Sequence, residues 1–229
     1  MQELLTIALD GPAGAGKSTI ARLLAKRLGI LYLDTGAMYR AVGLKALRLG
    51  LPTKSGPEIA AMLADTRLEI LFRDNVQHIL LDGEDVSQAI RSPEASMAAS
   101  DVSTLPVVRL RLVELQREIA ARQPLILDGR DIGTFVLPAA RWKFFLTADP
   151  AERARRRLLD LQARGDAATT LEQVRQAMDE RDRQDSQRSL APLKQAEDAI
   201  LVDTTSLTID DVVDKILDIL NSEKGSQAL

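Results

Sequence analysis

The sequence predicts an α/β fold of three layers, α/β/α, around a central parallel sheet of five strands. Short apolar segments alternate with amphipathic helical segments, which is typical of a parallel sheet covered by helices on both faces. A glycine-rich segment joins the first apolar segment to the first helical one. One pair of strand-like segments interrupts the alternation, which predicts an inserted subdomain containing an antiparallel hairpin.

Five short apolar segments form the predicted core strands. They are residues 4–9, 30–33, 125–127, 143–146 and 200–202. The segment 18–28 predicts a helix that Gly29 closes, and the amphipathic segment 210–220 predicts a last helix that covers the sheet. The polar tail at 221–229 is expected to be frayed.

Two further helices are predicted between the fourth and fifth strands. Asp149 and Pro150 begin the first, which runs through 153–164, because aspartate is a favoured N-cap and proline suits the first helical position. Thr170 begins the second with a capping-box pattern. Because few residues separate these helices, 153–170 is predicted to be a short second insertion in the core.

The main insertion lies between the second and third core strands. Residues 68–72 and 76–81 are strand-like and are bounded by Asn and Gly turn residues, which predicts an antiparallel hairpin. We therefore predict that 38–105 is an inserted substrate-side subdomain and that 1–37 and 106–220 make up the core.

Composition excludes several classes of protein and of chemistry. The chain has no cysteine, which excludes disulfides, thiolate metal sites and cysteine nucleophiles. Its net charge of −3 and aromatic content of 3% disfavour a nucleic-acid-binding protein. There is no apolar run long enough for a membrane span and no secretory signal, so we expect a cytoplasmic protein. The one histidine, His78, lies in the predicted hairpin, where cross-strand packing is the commoner role.

A phosphate-binding motif follows the first strand. Its pattern is Gly-x-x-x-x-Gly-Lys-Ser, and it lies between a strand and a helix as the motif requires. The backbone N–H groups of such a loop surround a polyphosphate at the positive end of a helix. Lys17 is expected to reach the β- and γ-phosphates, and the Ser18 hydroxyl to bind Mg²⁺. The predicted ATP-binding residues are Gly11, Pro12, Ala13, Gly14, Ala15, Gly16, Lys17, Ser18 and Thr19.

Polar residues follow two other core strands. Asp128 ends an apolar strand, and ligands bind at the carboxyl edge of open α/β sheets, so Asp128 is expected to orient the water shell of Mg²⁺. Arg130 and Asp131 come directly after it. Thr35, a glycine turn and Arg40 follow the second strand and suit a second phosphate. A solvated turn is the alternative for the Asp128 segment.

Two helical arginine groups allow both a functional and a structural interpretation. Arg153 and Arg157 are spaced i, i+4 and therefore share a helix face. Arg181, Asp185 and Arg188 share a side of a later helix. From spacing alone, phosphate binding and surface salt bridges remain open for both groups.

Taken together, these motifs resemble bacterial cytidylate kinases over about residues 4–220, nearly the whole chain. The segments that carry the resemblance are 11–19, 34–40, 83–87, 128–134 and 180–182. The Gly-Glu-Asp-Val-Ser segment and the Asp-Gly-Arg-Asp segment are specific, whereas the phosphate loop fits many families. The family also has an enlarged nucleoside-monophosphate subdomain, which matches the inserted hairpin.

The resemblance implies residue roles at the matching positions. Thr35, Arg40, Arg130 and Arg188 would hold the acceptor phosphate; Ser100, Arg109 and Asp131 would bind the edge of cytosine; Arg181 and Asp185 would lie near the pentose; Arg153 and Arg157 would be lid arginines. Ser18 stands where some relatives carry glycine, so Thr19 is a second candidate metal ligand.

The implied reaction is direct in-line transfer of a phosphoryl group from ATP to CMP or dCMP, with Mg²⁺ and without a general base. Lys17, Asp128, Arg130, Arg153 and Arg157 are the expected catalytic residues. The implied partners are these small molecules alone, with no nucleic acid or membrane, and the expected state is a monomer. A kinase for UMP, AMP or shikimate and a nucleotide-dependent switch are the alternatives, and the sequence lacks the switch's guanine-reading segment.

Overall fold

A computed structural model describes residues 4–163 and 165–225, which form two compact units. The first unit contains Ile30–Asp128 with residues 4–5, and the second contains Thr6–Gly29 with the described part of 129–229. Arg164, predicted to end a helix, and the last four residues of the predicted tail lie outside the described residues. The predicted boundaries of the core, the inserted subdomain and the lid stay predictions.

The described residues contain eight strands and eight α-helices. The strands are β1 (Thr6–Asp10), β2 (Leu31–Asp34), β3 (Leu68–Arg73), β4 (Val76–Leu81), β5 (Glu84–Asp85), β6 (Leu125–Asp128), β7 (Trp142–Thr147) and β8 (Ile200–Asp203). The helices are α1 (Lys17–Leu28), α2 (Thr35–Arg48), α3 (Gly56–Ala64), α4 (Pro93–Val102), α5 (Pro106–Ala120), α6 (Pro150–Ala163), α7 (Leu171–Gln187) and α8 (Ile209–Gly225).

The five predicted core strands form one sheet in the order β2-β6-β1-β7-β8. The pairs β1–β7, β2–β6 and β7–β8 are parallel. A separate sheet has the order β3-β4-β5, and both of its strand pairs are antiparallel. The predicted fold class, a three-layer α/β/α fold with a parallel five-stranded sheet and an antiparallel hairpin, is confirmed.

All five core strands end one residue later than predicted, and four of them end at an aspartate. These residues are Asp10, Asp34, Asp128 and Asp203. The apolar pattern of the sequence stops before each carboxylate, whereas backbone pairing continues through it: Asp34 pairs with Asp128 and Thr147 with Asp203. The carboxyl edge is therefore lined by acidic side chains whose backbone is fixed by the sheet.

In the first unit, tight turns set the register of the three-stranded sheet. Asp74 and Asn75 both have positive φ, 52° and 61°, as a two-residue hairpin turn between twisted strands requires. The turn between β4 and β5 repeats this pattern with Asp82 and Gly83, at φ 51° and 89°. The turn residues themselves thus determine the hairpin, and its prediction is confirmed.

The helices of the first unit, α2 to α5, do not appear in the sequence-based prediction. The segment after β2 was predicted as a glycine turn, and this is wrong because α2 begins at Thr35 and contains Gly36 in its first turn. The Asp34 side chain caps α2 by accepting a hydrogen bond from the Ala37 N–H at 3.0 Å. A good N-cap thus allows the helix to begin directly at the end of the strand.

In the second unit, the helix starts agree with the predictions. Asp149 accepts from the Ala151 N–H at 2.8 Å at the start of α6, and Thr170 and Gln173 form the predicted capping box of α7. The last helix continues to Gly225, beyond the predicted start of a frayed tail. None of the helices in the described part of the chain is long and apolar enough to span a membrane.

Candidate active site

The backbone of the phosphate loop, residues 11–19, requires glycine at two positions. Gly11 has φ 144°, and a Cβ there would lie 2.0 Å from the Leu146 carbonyl oxygen. Gly14 has φ 73°, and a Cβ would lie 3.0 Å from the carbonyl oxygen of Arg153. The loop is therefore packed against β7 and α6 so closely that only glycine fits at these two positions.

Two charged side chains hold the middle of the phosphate loop. The Ala13 N–H donates to Asp182 on α7 at 3.1 Å, and the Ala13 carbonyl accepts from Arg153 on α6 at 2.9 Å. Arg153 also forms an ion pair with Asp182 and donates to the Ala148 carbonyl at 3.2 Å. The sequence-based analysis gave Asp182 no role, although Asp182 lies in a segment that carries the family resemblance. It predicted Arg153 as a catalytic lid residue and not as a support of the phosphate loop.

Lys17 begins α1, and its side chain curls back over the loop. Its Nζ donates to the Pro12 carbonyl at 2.6 Å, and the residue is buried. Ser18 and Thr19 follow in the first helical turn and are exposed. A buried ammonium and two exposed hydroxyls thus lie at the positive end of a helix, which is a suitable place for a polyphosphate.

Asp10, at the end of β1, is a functional candidate that the sequence-based analysis did not single out. Its carboxylate accepts from the N–H groups of Ile132 and Gly133 at 2.8 and 2.7 Å. Burial raises the pKa of Asp10 to about 6; the charge of Asp131 adds to the rise, while the two N–H donors and Lys17 oppose it. Its position directly before the phosphate loop is the signal that could have identified it.

The raised pKa of Asp10 predicts a specific pH dependence of stability. A carboxyl whose folded pKa of about 6 exceeds its unfolded value of 3.8 contributes stability that is present at low pH and is lost as pH rises through 6. In the variant Asp10→Asn this titration is absent. The unfolding free energy of the wild type minus that of the variant should therefore fall by about 2–3 kcal/mol between pH 4 and 7. Denaturant unfolding at several pH values measures this difference, and a constant difference would contradict it.

Three arginines converge on one buried carboxylate in the second unit. Arg130 donates to Asp185 at 2.9 Å, and an Nη of Arg188 lies 3.4 Å from the other oxygen. Burial alone would raise the pKa of Asp185, but the charges of Arg130, Arg188 and Arg181 outweigh it and keep the pKa below its usual range. Arg130 thus belongs to the same cluster as Arg181, Asp185 and Arg188, which the sequence predicts on one side of a helix. The cluster is strongly cationic because three guanidinium groups surround one carboxylate.

In the first unit, Thr35 and Arg40 lie in the first two turns of α2. Arg40 donates to Asp34 at 2.8 Å, so the capping carboxylate also fixes this guanidinium. A Cβ at Gly36 would lie 3.1 Å from both Arg40 Nη1 and Asp34 Oδ1, which explains a glycine inside a helix. Thr35 donates to the Asp128 carbonyl at 2.7 Å and is buried. Asp34 was predicted only as a strand end.

Asp128 and Ser18 are the predicted Mg²⁺ residues and belong to different units. Asp128 is buried at the end of β6, and its carboxylate accepts from the Tyr32 hydroxyl at 3.3 Å. Among the described residues no group of three or more His, Cys, Asp or Glu side chains is arranged to hold a metal ion. A carboxylate and a hydroxyl nevertheless fit Mg²⁺, which keeps several waters and takes its remaining ligands from phosphates.

The residues predicted to bind the base also belong to both units. Arg109 of α5 is fully buried, donates to the Ser103 carbonyl at 3.3 Å and lies 5.7 Å from the centre of the Tyr39 ring. Ser100 is half-buried in α4 and accepts from the Ser103 hydroxyl through its carbonyl at 2.8 Å. Asp131 of the second unit is buried.

Two predicted residues lie apart from these groups in their own units. Arg157 is half exposed and pairs with Asp160 of its own helix at 2.7 Å, so it does not contact the phosphate loop as Arg153 does. His78 is opposite Leu71 in the hairpin, as packing predicts, and its ring also contacts Asp85 at 2.8 Å.

The chain resembles known proteins in sequence and in fold. The sequence pattern of the family described as Cytidylate kinase matches residues 7–222. A cytidylate kinase of Desulfitobacterium hafniense is 51% identical, covering 97% of this chain and 95% of its own. A cytidylate kinase of Caldicellulosiruptor saccharolyticus is 48% identical, covering 97% and 98%. A solved structure of an uncharacterized protein from Eubacterium ventriosum, 13% identical, covers 95% of this chain and 99% of its own with a TM-score of 0.52, a likeness in fold alone.

A phosphate loop between the first strand and first helix of a parallel sheet, with further arginine clusters, defines a P-loop kinase. The match extends over most of the chain and includes relatives of nearly the same length. The chain belongs to the cytidylate kinase family and is a nucleoside monophosphate kinase.

Proposed function

We propose that this kinase transfers the γ-phosphoryl group of ATP to CMP or dCMP, producing ADP and CDP or dCDP. The observation that supports the proposal is the position of Thr35 and Arg40 at the start of α2, where they could bind a second phosphate, in a chain that already has a phosphate loop. A kinase needs one such group for each of two phosphorylated substrates, whereas a nucleotide switch needs only one. The relatives with this sequence pattern are named cytidylate kinases.

The phosphate loop would hold the donor. Its N–H groups would surround the β-phosphate, and Lys17 would exchange the Pro12 carbonyl for phosphate oxygens. Bound Mg²⁺, held by Ser18 and through water by Asp128, would neutralise charge on the β- and γ-phosphates. The hydrogen bonds of Asp182 and Arg153 to the Ala13 backbone hold the loop in one conformation before ATP binds. ATP binding therefore requires little further ordering of the loop.

The acceptor phosphate would be held by Thr35, Arg40, Arg130 and Arg188. Both Arg40 and Arg130 are pre-oriented by carboxylates, Asp34 and Asp185, at 2.8 and 2.9 Å. A phosphomonoester has a second pKa of about 6, so its attacking oxygen is already ionised at neutral pH. No general base is needed, and His78, which contacts Asp85 in the hairpin, is not required for the reaction.

The main barrier is repulsion between two polyanions. A charge-assisted hydrogen bond contributes about 1.5–3 kcal/mol, so several arginines offset this repulsion and stabilise the charge of the transition state. Arg153 and Arg157 would act on the transferring group when the predicted lid at 153–170 closes and excludes water. In this state Arg153 already contacts the loop, whereas Arg157 would first have to leave Asp160.

An ADP-release assay with a panel of acceptors tests the proposal. With ATP and Mg²⁺, CMP and dCMP should each be phosphorylated, whereas UMP and AMP should react far more slowly. Faster reaction with UMP, AMP or shikimate would replace the proposed acceptor, and no acceptor-dependent ADP release would overturn the reaction class. Because both substrates are free nucleotides, we propose a cytoplasmic location, and the resemblance to the family implies a monomer.

Base selection is expected to depend on hydrogen bonds from Ser100, Arg109 and Asp131, with Arg181 and Asp185 near the pentose. A site that pairs with polar edges rejects an analogue that leaves its own buried groups unpaired. Replacing Asp131 by alanine should therefore lower the ratio of kcat/KM for CMP to that for UMP by about tenfold or more. An unchanged ratio in steady-state kinetics would contradict the assignment of Asp131.

A further inference from the structure

A side chain forms hydrogen bonds with the backbone at the outer edge of strand β2. β2 is the first strand of its sheet, and β6 lies on its other side, where Asp34 pairs with Asp128. On the free edge, the Asp34 N–H donates to Gln77 Oε1 at 2.7 Å, and Gln77 Nε2 donates to the Asp34 carbonyl at 3.2 Å. The amide of Gln77 therefore pairs with the backbone of Asp34 at two points, as a neighbouring strand would.

The backbone of Asp34 positions the two residues of α2 that are proposed to hold the acceptor phosphate, Thr35 and Arg40. Its side chain caps α2 through Ala37 and pairs with Arg40, and the next residue is Thr35. A rotation of this one peptide would displace the hydroxyl of Thr35, the capped helix start and the guanidinium of Arg40 together. The two hydrogen bonds of Gln77 to the N–H and carbonyl of Asp34 restrain such a rotation.

The hairpin that carries Gln77 is itself attached to α2 at its other end. Glu84 accepts two hydrogen bonds from Arg48 at 2.7 and 2.8 Å, and Asp82 pairs with Lys45 at 2.8 Å. Lys45 and Arg48 lie in the last turn of α2, whereas Gln77 contacts the residue that caps its start. The hairpin therefore extends beside a helix of 14 residues, about 20 Å long, and fixes both of its ends.

We propose that Gln77 is a positioning residue for the acceptor phosphate, acting through the Asp34 backbone on Thr35 and Arg40. This inference rests on the proposed function of Thr35 and Arg40. The inserted hairpin thereby has a role in catalysis that does not involve its histidine. The hairpin sets the geometry of the acceptor site without contacting the substrate.

Replacing Gln77 by methionine tests this role, because methionine keeps the length of the side chain and loses its strong donor and acceptor. The KM for CMP should rise about three- to tenfold, the effect of one misplaced hydrogen bond. The KM for ATP and the kcat at saturating CMP should change less than about twofold, since bound CMP restores the site. Gln77→Glu, which keeps only the acceptor, should raise the KM for CMP as well.

Val76→Thr is the matched control, because Val76 is the exposed neighbour of Gln77 on the same strand and threonine keeps its branched shape. All kinetic constants of this variant should equal those of the wild type. If Gln77→Met and Gln77→Glu leave the KM for CMP unchanged, or if both substrates and kcat are affected equally, the inference is overturned.

A double-mutant cycle with Arg40→Met separates this inference from the proposed function. If Gln77 acts through Arg40, its replacement should cost less kcat/KM for CMP in the Arg40→Met background than in the wild type. Additive effects would show that Gln77 does not act on the acceptor site through Arg40 and would overturn the inference alone. An Arg40→Met variant with the wild-type KM for CMP would instead refute the assignment of the acceptor site.

Discussion

Replacement of Lys17 by methionine is expected to lower kcat by about 10³-fold and to change the free energy of unfolding by no more than about 1–2 kcal/mol. The Lys17 ammonium is buried and donates to the Pro12 carbonyl, so it already lies within the loop that would hold the β- and γ-phosphates. Methionine keeps the apolar stem, which supports helix α1, and removes the charge. Because the charge stabilises oxygens that become more negative during transfer, its loss should reduce kcat more than ATP binding.

Steady-state kinetics with ATP and CMP, together with denaturant unfolding, measure this prediction. The control is Lys26→Met, because Lys26 is an exposed lysine in the last turn of the same helix. Its kcat should stay within about twofold of the wild type, since an exposed charge there is screened by solvent. A Lys17→Met enzyme that retains more than a tenth of the wild-type kcat would contradict the role given to this lysine.

The features that were predictable from sequence are those that neighbouring residues determine. The phosphate loop is set by glycines within nine residues, and the turns of the hairpin by Asp-Asn and Asp-Gly pairs. Core strands are recognised because each is apolar on both faces. Four of their ends were missed by one residue because a terminal aspartate breaks the apolar pattern and leaves the backbone ladder intact.

The features that were not predictable depend on contacts between distant segments. Asp182 holds the N–H of Ala13, 169 positions away, and Asp10 accepts from Gly133, 123 positions away. The pairing of Gln77 with Asp34 also requires the folded hairpin to lie beside β2. Each is an ordinary polar residue in sequence, and only the tertiary structure shows that it supports a backbone on which a candidate site residue depends.

Helices α2 to α5 illustrate the same limit on a larger scale. The segment Thr35 to Arg40 contains a glycine and follows a strand directly, a pattern that also fits a turn. The helix forms because Asp34 caps it and because Gly36 leaves space for the Arg40–Asp34 pair. The low helix propensity of the glycine is therefore outweighed by capping of the helix start and by an ion pair that spans nearly two turns.

The second large effect is expected at Asp185, where replacement by asparagine should lower the free energy of unfolding by about 3 kcal/mol. Asparagine has nearly the same shape but no charge, so Arg130, Arg188 and Arg181 would be left around a neutral group in a buried place. For a chain of 229 residues this corresponds to a fall in Tm of about 6–12 °C.

The dependence on pH separates this charge effect from a packing effect. The pKa of Asp185 in the folded protein lies below the ordinary 3.8, so its contribution to stability is present above about pH 4 and is lost as pH falls through the folded value. The difference in stability between wild type and Asp185→Asn should therefore shrink below about pH 4, whereas a packing defect would persist. Asp179→Asn, at an exposed position of the same helix, is the control and should leave Tm within about 2 °C.

Added phosphate gives an independent measure of the same cluster. An anion that binds the folded state stabilises it in proportion to its affinity, and three uncompensated arginines should attract phosphate more strongly than a cluster neutralised by Asp185. The rise in Tm produced by phosphate or CMP should thus be larger for Asp185→Asn than for the wild type. An equal rise would mean that the arginines around Asp185 do not face the acceptor phosphate, and the proposed roles of Arg130 and Arg188 would have to be given up.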